Sequence, residues 1–307
     1  MLPVAWQVGL LSFLLSHSNR LSSPSWRAFV FLFSSTSYSW SSRIGILKLE
    51  SREKGLTLFC IGVAIFPGLL SPLVQRVLLD RLLHRDLSNP EYQTNLHLHY
   101  DIDYPPDDRS FFTTSPSDIL FTPKDSNVHS QLNMTQVLQK KLRWITLGGQ
   151  YDWTKKVYPT TRPHDFPQDI ADLIKGLFHG MMEPQAAIAN VYSPGDTLSL
   201  HRDVSEEVDM PLVSISLGCD CLFLIAVEDN TAENGITHSV IRLRSGDALI
   251  MMGESRFAWH GVPKIVPDTC PDHLESWPDY PGRVGPATQW NGWMRNKRIN
   301  LNVRQMV

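Results

Sequence analysis

His201 and Asp203, in the stretch LSLHRDVSEE at 198–207, are two metal-capable side chains separated by a single residue. On an extended chain, positions i and i+2 point to the same face, so the pair converges on one point in space. A second histidine from another strand would complete a triad of two histidines and one carboxylate. Such a triad leaves part of an octahedral iron open, with room for a bidentate cosubstrate and oxygen. The candidates after Asp203 are His238, His260 and His273. His238 opens a strand in a polar turn, and His273 sits in a loop rich in Pro and Asp. His260, in SRFAWHGVPKI, comes just after the apolar run DALIMMG and lies 57 positions beyond Asp203. It is the expected third ligand.

An H-x-D pair alone arises often by chance. The end of the chain, RINLNVR at 298–304, strengthens the case. Arg298, Asn300, Asn302 and Arg304 alternate with Ile299, Leu301 and Val303, so one face is apolar and the other presents two guanidiniums with two amides between them. A guanidinium grips a carboxylate bidentately, which an ammonium does not do with the same geometry. Beside an iron triad, this face reads as a clamp for a dicarboxylate. The plainer alternative is a solvated edge strand with its arginines outward.

These residues need a scaffold. From Lys141 the chain breaks into short runs rich in β-branched and large apolar residues: 142–148, 187–192, 211–218, 221–227, 238–244, 247–253 and 299–303. Gly, Pro, Asp or Asn punctuate most of the gaps. One helix is expected from Pro167 or Asp169 to about Phe178. Many short strands at this spacing imply a sandwich or jelly roll rather than a Rossmann sheet, and neither G-x-G-x-x-G nor a P-loop is present.

Three segments follow from composition. Residues 1–49 contain twelve serines, four basic residues and no acid, the composition of a transit peptide, with a mispredicted start as the alternative. Residues 50–139 read as an N-terminal extension: a buried strand or turn in LTLFCIGVAIFPGLL, a helix capped by Ser71 with a stripe of Leu73, Val77, Leu79, Leu82 and Leu83, and a long polar surface loop over 89–130. Residues 140–307 form the β-rich domain. The apolar run at 56–70 is too short and too interrupted to span a membrane, so no stable membrane association is expected. A formal charge of −3 gives no global electrostatic case for a nucleic-acid partner, though a local basic patch is compatible with it. The four cysteines form neither a CxxC pair nor a disulfide framework, and Cys219 and Cys221 read as buried packing in a reducing compartment.

NVYSPGDTLSLHRD, SLG at 216–218, SGDALIMMGESRFAWHG and RINLNVR together resemble the AlkB family of iron(II)/2-oxoglutarate dioxygenases. LRWITLGGQYDW and the terminal VRQ resemble its homologue-1 branch, and the likeness runs over about 140–307. The resemblance implies a mainly β fold with flanking helices, the double-stranded β-helix. It implies Fe(II) held by His201, Asp203 and His260, 2-oxoglutarate paired through Arg298, a pocket completed by Asn190, Tyr192, Asn300 and Arg304, and O2 as cosubstrate. Two departures stand out. The interval between His260 and Arg298 is long, and its Pro-, Asp- and Trp-rich stretch, within 263–293, reads as a surface excursion near the site mouth. Ser205 stands where some DNA-repair members carry a pocket acid, so their base preference does not carry over.

The implied chemistry is oxidative demethylation. An N-methyl group of N6- or N1-methyladenine in RNA or DNA is hydroxylated, formaldehyde leaves, and succinate and CO2 are the by-products. The partner would be a single-stranded or flipped nucleotide, which calls for aromatic stacking surfaces and nearby cations. Tyr151 and Trp153, interleaved with basic residues, together with Ser205 and a rim-placed Arg256, are the expected substrate contacts. The rivals are a protein oxygenase acting on a histone-type tail, an abasic-site lyase using a lysine, and a catalytically silent binding module. The expected compartment is the nucleus or cytoplasm, or the mitochondrion if residues 1–49 are a transit peptide.

Overall fold

The computed structural model describes residues 57–60, 62–106, 109–152, 164–228, 235–278 and 289–307. All of them fall in one compact unit, Glu50–Val307. The transit-peptide reading of 1–49 lies outside the described residues, as does Trp153.

The strands, in chain order, are β1 (Thr57–Cys60), β2 (Val63–Phe66), β3 (Tyr100–Ile102), β4 (Leu120–Pro123), β5 (Leu132–Asn133), β6 (Trp144–Gly148), β7 (Ala186–Tyr192), β8 (Leu198–His201), β9 (Leu212–Gly218), β10 (Cys221–Glu228), β11 (Ile236–Leu243), β12 (Ala248–Met251), β13 (Trp259–Ile265) and β14 (Arg298–Arg304). They form a seven-stranded sheet in the order β1-β2-β12-β9-β14-β7-β6, a four-stranded sheet β11-β10-β13-β8 and a small sheet β3-β4-β5. Every pairing is antiparallel. Sequence-distant neighbours such as β12 beside β9, and β14 between β9 and β7, give the jelly-roll topology.

Local sequence accounts for which strands are central. β9 (LVSISLG) is buried along its whole length and β14 (RINLNVR) at every position but the half-buried Asn300, as strands covered on both faces must be. β10 alternates instead, with Cys221, Phe223 and Ile225 buried between half-buried neighbours, because one face of the minor sheet meets the core and the other meets solvent. The core between the two sheets takes Val63, Ile65, Leu212, Leu249 and Met251 from the major sheet and Cys221, Phe223, Ile225, Ile241, Leu243, Val262 and Ile265 from the minor one. Cys219 and Cys221 are buried packing residues, as expected.

Three sequence expectations need correction. First, the major sheet does not begin at residue 140. β2 pairs with β12, so strands from before the expected boundary close one edge of the jelly roll. Second, 89–130 is not a surface loop. Tyr100, Phe111, Phe112, Ile119 and Phe121 are buried around β3 and β4, and the Pro and Asp residues between them masked this apolar content. Third, the excursion after His260 is anchored: Trp277, Trp290 and Trp293 are buried against Phe112.

Among the described residues the two longest helices are these. The first, α1 (Pro72–Asp80), is capped by Ser71 Oγ accepting from Val74 N, and it buries Val74, Leu78 and Leu79. Its buried face is therefore turned by one residue from the expected stripe through Leu73 and Val77. The second, α2 (Gln168–Leu177), starts after Pro167 as expected. Among the described residues no helix is long and apolar enough to cross a membrane.

Gly218 ends β9 opposite Arg298 with φ +84°, and a Cβ there would sit 2.3 Å from Lys297 O. Both the backbone conformation and the close approach exclude a side chain. Gly218→Ala should therefore cost about 1–3 kcal/mol of stability, more than an ordinary surface substitution, measurable as a lowered midpoint in chemical denaturation.

Candidate metal centre

His201 is the last residue of β8, and His260 is the second residue of β13. The two are direct register partners, which brings their rings to a centroid separation of 4.3 Å. Asp203 follows β8 and turns back toward both: its Oδ1 lies 3.7 Å from His201 Nε2 and its Oδ2 3.9 Å from His260 Nε2. One ligand atom from each of the three residues lies within 4.8 Å of the others, a spacing that suits one shared metal ion. The expectation that a strand-end H-x-D pair meets a histidine from a neighbouring strand is met, although β13 itself was not recognisable as a strand.

The imidazoles are oriented from behind. His201 Nδ1 lies 2.9 Å from Ser199 O, and His260 Nδ1 lies 3.0 Å from Ala258 O. With the proton on Nδ1 donated to a carbonyl, the Nε2 lone pair of each ring is turned toward Asp203, the arrangement a metal ligand needs. Burial pushes His260 below its ordinary value, which keeps it neutral and available. Burial alone would raise the Asp203 carboxyl. Arg304 first, then His260 and His201, outweigh it and hold the group well below the usual carboxylate range.

Asp203 sits in a chain of buried charges. Its Oδ2 accepts from Arg304 Nη2 at 2.8 Å and from Asn302 Nδ2 at 3.3 Å. Arg304 Nε is 3.0 Å from Glu206 Oε1, and Glu206 Oε2 accepts from Arg256 Nη2 at 2.8 Å. Arg256 also donates to the backbone carbonyls of Asp203 and Met210, at 3.0 and 2.8 Å. The Arg256 and Glu206 side chains are 1% and 2% exposed. Arg256 is therefore not a substrate contact at the rim. Its guanidinium is committed to Glu206 and to the 203–210 backbone, because a buried cation must find an anion. Arg304, expected in the cosubstrate pocket, has its guanidinium on Asp203 and Glu206. Glu206 was not among the expected site residues. The sequence showed only an acid near the H-x-D pair, and nothing local pointed to two arginines from distant segments.

The inner face of the major sheet continues the site. In register across β7, β14 and β9 stand Tyr192, Arg298 and Gly218, then Asn190, Asn300 and Ser216, then Ile188, Asn302 and Ser214. Asn300 Nδ2 donates to Ser214 Oγ at 2.7 Å. Arg298, 1% exposed, donates from Nη2 to Ser216 Oγ at 3.0 Å, while its Nε and Nη1 and the Tyr192 hydroxyl are buried without a protein partner. Burial pushes the Tyr192 phenol up to about 12, so it stays a neutral donor. A buried guanidinium that no described carboxylate pairs with is expensive, and two spare N–H donors beside a buried O–H form a cradle for a ligand carboxylate. These residues fit a dicarboxylate cosubstrate. Tyr151 and Ser205 are brought together, with Ser205 Oγ donating to Tyr151 Oη at 3.3 Å.

A jelly roll whose open half carries two histidines, an aspartate and an anion cradle is the scaffold of an iron-dependent oxygenase. Residues 104–304 match the model of the 2OG-Fe(II) oxygenase superfamily. An N6-methyladenosine RNA demethylase ALKB1 of Pyricularia oryzae is 50% identical over 266 residues, covering 80% of this chain and 74% of the relative. An N6-methyladenosine RNA demethylase ALKBH of Cryphonectria parasitica is 54% identical over 225 residues, 69% of this chain and 99% of the relative. The solved structure of OsALKBH1 superposes with a TM-score of 0.50 at 21% identity, covering 82% of this chain and all of that one, and supports the fold. The chain belongs to the 2OG-Fe(II) oxygenase superfamily and, within it, to the homologue-1 branch of the AlkB family. Fe(II), 2-oxoglutarate and O2 are thus its cofactor and cosubstrates.

Removing Glu206 would strand two buried guanidiniums. Glu206→Ala should cost about 3–5 kcal/mol of stability, whereas Glu206→Gln, which keeps the shape and part of the hydrogen bonding, should cost clearly less. Equal losses in urea denaturation would mean that the carboxylate charge alone, and not the shape or hydrogen bonding that glutamine keeps, compensates the two guanidiniums.

Proposed function

We propose that the protein is an Fe(II)/2-oxoglutarate-dependent demethylase of N-methylated adenine in RNA or DNA, acting on a single-stranded or flipped nucleotide. His201, Asp203 and His260 hold the iron, and Arg298 with Tyr192 and the Asn190/Asn300 row seats 2-oxoglutarate. The observation that carries this reading is the unpaired, fully buried Arg298 guanidinium on the same inner face that Asn302 and Arg304 connect to Asp203. The two fungal relatives described above, named as N6-methyladenosine RNA demethylases, favour N6-methyladenosine in RNA among the substrates considered.

When bound, iron, 2-oxoglutarate and oxygen supply the oxidising chemistry that hydroxylates the methyl group, which is then lost as formaldehyde. The protein's own part is positional. Arg304 and Asn302 hold Asp203 ionised and aimed, and the two carbonyls fix the imidazole tautomers. The inter-sheet core keeps water from the closed side of the site. His201 is 36% exposed while His260 is 6% exposed, so the opening lies on the His201 side, where Ser205 and Tyr151 meet the incoming base.

The direct test supplies the full chain with iron(II), 2-oxoglutarate and oxygen. It follows succinate and formaldehyde with single-stranded RNA or DNA bearing N6- or N1-methyladenine, against unmethylated controls. Methyl-dependent formaldehyde release is expected. Succinate without formaldehyde from either polymer would keep the iron site and move the substrate to protein. Asp203→Asn should abolish iron-dependent succinate formation, and retained turnover would refute the ligand assignment. Arg298→Lys exchanges a bidentate pair for a point charge, so the 2-oxoglutarate KM should rise roughly tenfold to a hundredfold with iron affinity unchanged. An unaltered KM would put the clamp elsewhere.

A further inference from the structure

Arg202 lies between two of the triad residues, and Trp259 immediately precedes the third. Because His201 and His260 are register partners facing inward, the residues beside them turn to the outer face of the minor sheet at its open end. There they meet: the Arg202 guanidinium carbon lies 5.7 Å from the centre of the Trp259 ring. Trp259 is 44% exposed, and Leu200 and Val204, two positions to either side of Arg202, are 50% and 57% exposed. A tryptophan normally buries its large apolar surface, so an uncovered indole held by an arginine at the mouth of a reactive site is built for a ligand.

The charge on this face says which ligand. Over the four strands of the minor sheet the only acid is Glu228, against Arg242 and Lys264, and Arg202 adds a third cation at the end of β8. Arg242 is half exposed although paired with Asp220. His238 is on the same outer face, in register with Ala226, which is itself the partner of Trp259. Arg242 and Lys264 stand further along this face, both level with Leu222, while Arg202 alone lies against the ring. An exposed ring with a guanidinium against it is an arrangement that binds single-stranded nucleic acid, in which a base stacks on the ring and a phosphate meets the cation.

We propose that Trp259 and Arg202 form a platform for the nucleotide next to the target, with Trp259 stacking on its base and Arg202 meeting its phosphate. The platform grips the strand outside the pocket while the target base enters on the His201 side. This inference rests on the demethylase reading above and adds to it a determinant of substrate length.

The experiment compares wild type, W259A, W259F and R202Q as full chains loaded with iron(II) and 2-oxoglutarate without oxygen. It measures affinity for a short single-stranded RNA carrying one N6-methyladenosine, over a range of salt, and iron content in parallel. W259A should weaken binding by about tenfold or more, and W259F should recover most of that loss. R202Q should flatten the slope of log affinity against log salt by about 0.7, the share of one phosphate on a single strand. If W259A binds the RNA as wild type does, or if W259F is as weak as W259A, the platform is overturned while the demethylase reading stands. If the wild type binds no oligonucleotide, both readings fall together.

Discussion

The ion pair between Arg304 and Asp203 is the contact on which the rest of the site depends. It joins the last strand of the chain to the loop after β8, and it places a cation 2.8 Å from one carboxylate oxygen of a triad residue. Alone, a buried arginine against a buried aspartate would be a poor bargain, because desolvation offsets most of the attraction. Here the pair is extended by Glu206 and Arg256, so that two guanidiniums and two carboxylates alternate and the cluster closes with no net charge. Asp203 is thereby held ionised without an uncompensated charge in the interior. Arg256, by also gripping the Asp203 and Met210 carbonyls, fixes the backbone of the loop that carries the aspartate.

The inner face of the major sheet then divides the sandwich into two halves. At the β2 and β12 end it is apolar, with Val63, Ile65, Leu249 and Met251 in the inter-sheet core. Toward β14 and β7 it becomes polar: Ser214, Ser216, Asn300, Arg298 and Tyr192. The opposite face of the same strands, with Ile299, Leu301, Val303 and Leu217, remains fully buried. A strand such as β14 can afford four polar residues on one side only because the other side is wholly apolar. The alternation that stabilises the sheet is therefore the same alternation that lines the site.

Much of this was legible in the sequence, for a physical reason that also marks its limits. The strands from 142 to 253, the helix at 168–177, the triad and the polar face of RINLNVR follow from local periodicity and side-chain chemistry, which act over a few residues. What escaped depends on partners far apart in the chain. WHGVPKI does not alternate cleanly and contains Pro263, yet β13 forms because β10 and β8 flank it. Arg256 looked like a rim cation because its local sequence, GESRF, is polar, and only the fold brings Glu206 within 2.8 Å. Arg304 was expected to face the cosubstrate and its guanidinium lies on Asp203 and Glu206, since nothing in RINLNVR distinguishes an arginine that meets a cosubstrate from one that meets an aspartate. In the same way, Phe111, Phe112 and Phe121 lie among residues of loop character, and their burial against one another and the tryptophans of 277–293 is a long-range fact.

The charge balance constrains how such a protein can handle a polyanion. With a net charge of −3, the molecule as a whole does not attract nucleic acid, and long-range steering is weak at physiological salt. Recognition must therefore come from a small area in which the local balance is reversed. The open end of the minor sheet offers such an area where the Arg202 guanidinium lies against the exposed Trp259, with exposed Leu200 and Val204 close by in the chain. Contacts of this kind favour bases that are already unstacked, since stacking on a side chain replaces stacking in the strand. In a continuous duplex the same contacts would first require the base to leave its pair, at a cost of a few kcal/mol that so small a basic area is poorly able to offset. On the proposed platform, the low net charge and the exposed ring would together favour single-stranded or already distorted nucleic acid, independently of which methylated position is oxidised.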